Sequence, residues 1–177
     1  MANSILAALL AGALALSPAA SRAQVAITIA GGITAPVSTL GDIADLGYHL
    51  SGGVNYGIPT SSLGFRFEGG YDGLSLKNGG GDVRILAGTV NVIGNMGTTR
   101  DAPYVIAGIG AYNRNISTTT LGYGNGKTVL GINGGGGLRF PLNGISTYFE
   151  ARYHVMLGEQ AAGANYQFIP MTFGIVF

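Results

Sequence analysis

The stretch YQFIPMTFGIVF, residues 166–177, sets Ile169, Met171, Phe173, Ile175 and Phe177 at every second position. A period of two is the strand period, so these five side chains project from one face of a single extended segment. Phe168, Pro170, Thr172, Gly174 and Val176 fall on the other face, which is smaller and less uniform. The uniformly apolar face requires a hydrophobic neighbour, either a protein core or lipid, and the rest of the chain has to decide between them.

Composition narrows the choice. Of 177 residues 10% are charged and 32 are Gly, with no Cys and no Trp. An ordinary soluble surface carries about a quarter or more Lys, Arg, Asp and Glu. The one long unbroken apolar run is ILAALLAGALAL at 5–16, too short to span a bilayer as a helix and matched to a secretory h-region. SPAASRA follows, in which Ser21 and Ala23 satisfy the small-x-small cleavage rule. Residues 1–23 are therefore expected to be a cleaved signal peptide and 24–177 one domain. MANS brings no Lys or Arg to the n-region, and the competing reading of this end is an anchor or buried helix. Loss of Arg22 balances the 8 acidic residues and brings the mature net charge to zero. Nothing basic enough for a nucleic-acid partner remains. The absence of Cys fits export without disulfides.

From Val25 onward the period of two recurs in blocks separated by Gly, Asn, Pro and Ser clusters. VAITIAGGIT sets Val25, Ile27, Ile29 and Ile33 against Ala26, Thr28, Ala30 and Thr34. YHLSGGVNYGI sets Tyr48, Leu50, Val54, Tyr56 and Ile58 against His49, Ser51 and Asn55. LGFRFEGGYD sets Leu63, Phe65, Phe67 and Tyr71 against Arg66, Glu68 and Asp72. In PYVIAGIGAYN the reading puts Tyr104, Ile106 and Tyr112 outward, opposite Ala107, Ala111 and Asn113. TVLGINGGGGLRF sets Leu130, Ile132, Leu138 and Phe140 against Asn133 and Arg139. TYFEARYH sets Phe149, Ala151 and Tyr153 against Glu150, Arg152 and His154. In DVRILAGTVNVIG (82–94) two phases compete, one with Val83 and Ile85 outward and one with Leu86, Val90 and Val92 outward. The second is preferred, with Thr89 and Asn91 inward and a bulge to reconcile the two.

With the terminal block this makes eight strands of roughly ten residues, the length that crosses a bilayer at a tilt. PTSS (59–62) and PLNG (141–144) read as tight turns, whereas 36–47, 73–81, 114–127 and 155–164 read as longer loops. Short turns on one side and long loops on the other is the layout of an outer-membrane barrel with both termini in the periplasm. The mid-strand charges Arg66, Glu68, Arg139, Glu150 and Arg152 lie opposite the aromatics. A charge facing lipid at the midplane costs about 2–4 kcal/mol, so the charged face is the lumen and the sheet is inside-out. The backbone must then close on itself. A soluble lipocalin-like carrier would have the reverse polarity. Tyr48, Tyr56, Phe65, Tyr71, Tyr104, Tyr112, Phe140 and Tyr153 fall near strand ends and are expected to form interfacial girdles. The expected fold is an all-β, eight-stranded antiparallel transmembrane β-barrel, an up-and-down meander.

The alternating final strand, together with APYVIAGIGAY, GINGGGGLRFPL and FEARYH, resembles the small eight-stranded outer-membrane β-barrel family, the OmpA-like and OmpX-like outer membrane protein beta-barrel domain. The resemblance covers residues 24–177. It implies that Phe173, Ile175 and Phe177 form the C-terminal signal read by the barrel-assembly machinery of Gram-negative bacteria. It also implies partnership with outer-membrane lipid and lipopolysaccharide, no cofactor or metal, and a non-enzymatic role.

Other chemistry finds little support. GYGNGKT (122–128) looks like a phosphate-binding loop, but position 121 is Leu where Gly is needed and no helical period follows. Lipid A deacylases of similar size use a His with a Ser two positions later, and the residue two after His154 is Met156. No His, Asp and Glu cluster has metal-site spacing. Arg66, Glu68, Arg84, Arg139, Glu150 and Arg152 are expected to form a paired lumen network, since eight strands enclose only enough room for side chains. The alternative is a gate for a narrow, low-conductance pore. Surface binding would fall to the loops NRNISTTTLGYGNGK, with Arg114, Tyr123 and Lys127, and PVSTLGDIADLGY, which mixes Ile43 and Leu46 with Asp42 and Asp45.

Overall fold

A computed structural model of the chain describes residues 25–97, 102–118, 122–123, 126–161 and 164–177. The expected signal peptide and its cleavage site lie outside the described residues. The long strands are β1 (Val25–Val37), β2 (Gly47–Gly57), β3 (Leu63–Ser75), β4 (Gly81–Asn95), β5 (Pro103–Thr118), β7 (Lys127–Leu142), β8 (Ile145–Ala161) and β9 (Ala164–Val176). A two-residue β6 (Gly122–Tyr123) pairs with the end of β5. All neighbours are antiparallel. The order β4-β3-β2-β1-β9-β8-β7-β5 closes through a β4–β5 ladder. Every long strand thus has a partner on both sides, which is what hydrocarbon demands of a backbone with no water to bond. The last residue takes part, because Phe177 N donates to Ile27 O (2.8 Å) and Ile27 N donates to Phe177 O (3.1 Å).

The strands run to 17 residues, well past the roughly ten expected. Residues 114–118, 127 and 155–156, read from sequence as loop, continue the ladders, because backbone N–H and C=O groups pair whatever side chains they carry once a neighbouring strand is in place. The irregularity expected in 82–94 is absent, and β4 keeps one phase from Asp82 to Ile93. A register shift falls instead in β8, between Met156 and Ala161.

We call the end bearing Val25, Phe177 and the turns at 58–62 and 143–144 the turn end, and the other the loop end. At the loop end a short helix α1 (Ser38–Ile43) folds over the barrel. Leu40 drops inside and is fully buried, while Ile43 and Leu46 stay exposed. Lys77 Nζ donates to Gly41 O (2.5 Å), and Ala44 bridges to Leu76, so the first and second loop-end connections are latched together.

The outer wall is apolar. Ile29, Leu50, Phe67, Leu86, Ile109, Leu130, Phe149 and Phe173 are all exposed, while Arg66, Glu68, Glu150 and Arg152 are buried. A water-facing surface of that kind would drive association, and lipid satisfies it.

Candidate functional site in the barrel lumen

The strand period decides what enters the lumen. Arg66 and Glu68 are two residues apart on β3, and Glu150 and Arg152 are two apart on β8, so each pair points inward together. Both strands run from the turn end to the loop end. Arg-x-Glu therefore faces Glu-x-Arg at matching levels, and opposite charges meet across the barrel. Arg66 Nη1 donates to both oxygens of Glu150 (3.0 and 2.8 Å), and Arg152 Nε reaches Glu150 Oε1 (2.9 Å). Arg152 Nη2 pairs with Glu68 Oε1, and Arg66 Nη1 stands 3.6 Å from Glu68 Oε2. Arg66 Nε is satisfied by Asn55 Oδ1 (2.8 Å). The cluster is neutral and each Arg has hydrogen-bonding partners, the condition under which buried charges are tolerated.

Aromatic rings frame this layer. Tyr104 Oη donates to Glu150 Oε2 (2.6 Å), and the Arg66 guanidinium lies 5.2 Å from the Tyr148 ring centre. Toward the turn end, Arg139 donates to Asn95 Oδ1 (2.9 Å) and lies 4.9 Å over Tyr104. Arg139 is thus an inward group next to the cluster, on the wall of a vestibule of about 450 Å³ at the turn end.

Toward the loop end the lumen changes character twice. First comes a polar layer, in which Asp72 Oδ1 accepts from Thr34 Oγ1 and lies 2.7 Å from His49 Nδ1, and Tyr112 Oη lies 3.0 Å from His154 Nδ1. Above it is an apolar seal of Leu40, Leu74, Val83, Ile85, Met156 and Phe168, all buried. Phe168 stacks on His154 (4.9 Å) and meets Tyr112 edge-on (6.3 Å).

Four sequence expectations need correction. Tyr104, Ile106 and Tyr112 are expected to face outward, the two tyrosines in the girdle, but they are 1%, 2% and 0% exposed and point into the lumen. Both faces of YVIAGIGAY are apolar, so alternation could not choose a phase. The structure chooses by space and by hydrogen bonds. A Cβ on Gly137 would stand 2.5 Å from the Tyr104 ring, and one on Gly131 would stand 2.6 Å from Tyr112. These β7 glycines leave the room the two rings occupy, and each hydroxyl finds a lumen partner. The missed signal was the spacing of inward glycines on the neighbouring strand. Arg84 was expected in the lumen network, but it is exposed on the outer wall, because the phase that buries Val83 and Ile85 turns Arg84 outward. The other girdle residues face outward. Tyr48, Tyr71 and Tyr153 lie toward the loop end, and Tyr56, Phe65 and Phe140 toward the turn end. Phe173, Ile175 and Phe177 share the outward face of β9.

The glycine fit gives a direct expectation. Gly137→Val is expected to destabilise the barrel by about 1–3 kcal/mol through overpacking against Tyr104. Gly88→Ala, whose Cβ would meet nothing within 4 Å, should leave the urea midpoint nearly unchanged. Equal midpoints for the two variants would mean the tyrosine does not depend on that space.

Of the loop candidates, Arg114 turns inward to lie 4.6 Å over the Tyr166 ring, and Lys127 Nζ donates to Gly158 O (3.3 Å). The Tyr123 side chain lies outside the described residues. Lys127 opens a strand, so the phosphate-loop look-alike has no helix after it.

Over residues 6–177 the sequence matches the family described as "Outer membrane protein beta-barrel domain". Among solved structures, Neisserial surface protein A is similar to this chain with a TM-score of 0.70 at 14% identity, covering 87% of this chain and 96% of that one. The N-terminal β-barrel domain of Pseudomonas aeruginosa OprF is similar with a TM-score of 0.56 at 14% identity, covering 87% of this chain and 98% of that one. At such identity the likeness speaks to the fold alone. No curated protein matches the sequence. The chain belongs to the outer membrane protein beta-barrel domain family and is a bacterial outer-membrane barrel protein.

Proposed function

We propose that this is a non-enzymatic outer-membrane protein, exported by a signal peptide cleaved before Gln24, with both termini in the periplasm. It serves envelope integrity or surface interaction through the loop end. The observation that carries the reading is the filled lumen, in which ion cluster, polar layer and apolar seal are stacked in series. A lumen occupied in this way leaves the loops and the outer wall as the surfaces available for partners. The outward Phe173, Ile175 and Phe177 serve as the signal that the barrel-assembly machinery reads. Deacylase chemistry has no support at His154, which is 3% exposed and whose neighbour at the nucleophile offset, Met156, is fully buried.

The turn-end vestibule favours a second reading, a narrow low-conductance pore that opens when the ion pairs exchange.

The chain has no Cys, so single-cysteine labelling tests the orientation cleanly. On intact cells a membrane-impermeant maleimide is expected to label Asp42→Cys and to spare Ser61→Cys, and the membrane-extracted protein should begin at Gln24. The reverse labelling pattern sinks the surface role.

A further inference from the structure

On the outer wall near the loop end, Tyr48, Gly73 and Arg84 are consecutive register partners on β2, β3 and β4. The Tyr48 ring lies across Gly73, where a Cβ would stand 2.6 Å from two ring carbons and 2.8 Å from the hydroxyl. The glycine lets the phenol reach along the row toward Arg84. Tyr71, 5.9 Å from Tyr48 between ring centres, closes the side facing mid-membrane. Together they bound a cleft of about 290 Å³, whose rim on the loop side carries the exposed Asp82. Tyr71 is also a wall of a second, apolar groove of about 410 Å³ just below, between Leu50 and Leu86 and floored by Gly52 and Gly69. Four residues along β4 separate Arg84 from Gly88, the next glycine in the Gly52–Gly69 row, or about 13 Å at strand rise.

We propose that this pair of grooves is a binding site for a phosphorylated, acylated lipid of the outer leaflet, lipid A. Its phosphate lies on Arg84, and one acyl chain lies in the glycine-floored groove. Three observations converge on that occupant. An arginine on a lipid-facing wall sits where a charge is tolerated only near the interface, and Arg84 stands at the level of the Tyr48–Tyr71 belt, where headgroups lie. Guanidinium matches phosphate oxygens in charge and in two-pronged geometry. The apolar groove continues from the cleft toward the bilayer midplane, as a chain attached to that headgroup requires. The choice of lipid A rests on the proposed orientation, with the loop end outward.

The test is native mass spectrometry of the full folded barrel in detergent, with lipid A, dephosphorylated lipid A or phosphatidylglycerol added at equal concentration. The wild type is expected to retain lipid A in preference to the other two. Arg84→Gln should lower lipid A retention about tenfold, the scale of one lost charged hydrogen bond. Gly69→Leu, which fills the apolar groove, should lower retention while Arg84 stays in place. All variants should keep their heat-dependent mobility in SDS, which separates site loss from misfolding. Equal retention by wild type and Arg84→Gln overturns the site, as does a preference for phosphatidylglycerol. Because the measurement is made in detergent, its outcome is independent of orientation, which the maleimide labelling reads separately.

Discussion

Replacing Glu150 with alanine is expected to lower the stability of the folded barrel by about 3–5 kcal/mol, the cost of leaving a buried charge without its partner. Glu150 is the hub of the lumen. It accepts from Arg66, Arg152 and Tyr104, and it is 2% exposed. Its loss leaves Arg66 with the 3.6 Å contact to Glu68, its Asn55 bond and the aromatic faces beside it, and uncovers a net positive charge in a closed space. The measurement is the urea midpoint of the barrel in detergent, followed by the mobility difference between unheated and boiled samples. The double variant Arg66→Met, Glu150→Leu removes both partners of the Arg66–Glu150 pair. It is expected to recover much of the loss, since an apolar replacement of a buried pair is often near neutral. The same variants decide between plug and gate. A Glu150→Ala barrel with an unchanged midpoint and stepwise bilayer conductance would show that the ion pairs guard a water path.

Phe168→Ala is expected to cost about 3–5 kcal/mol, because it removes a fully buried ring from the apolar seal and leaves a cavity beneath Leu40. The seal is held from several strands, with Leu74 from β3, Val83 and Ile85 from β4, Tyr112 from β5 and Met156 from β8. It cannot collapse far onto a gap without moving the ladders. Phe168→Leu should cost appreciably less. Bilayer recordings on Phe168→Ala are expected to stay silent, since the ion cluster still blocks the lumen on the turn side. Conductance steps in this variant alone would assign the barrier to the apolar layer and reduce the charges to a structural role.

These two expectations rest on residues of different legibility. Arg66, Glu68, Glu150 and Arg152 could be read as lumen residues from the sequence because charge in mid-strand opposite aromatics has one tolerable direction in a membrane. Phe168 could not. It alternates with Ile169, an equally apolar neighbour on the opposite face, and its burial depends on how α1 folds over the mouth. Leu40 posed the same problem, since Ile43 and Leu46 were as good candidates for the interior by hydrophobicity. Tyr104 and Tyr112 were misplaced for a related reason. An aromatic near a strand end suits a girdle and a lumen equally, and the decision belonged to glycines on another strand.

Alone, the sequence was enough to determine the strand period, the eight-block meander, the inside-out polarity and the face of β9 that meets lipid. Each is a local property, because side chains alternate every residue and a charge in hydrocarbon has a fixed sign of cost. The tertiary structure decided which arginine meets which glutamate and how a seal forms above the polar layer. Those depend on register between strands up to 84 residues apart. Register is set by closure of the whole sheet and by the space that glycines leave opposite large rings, and no window along one strand contains that information.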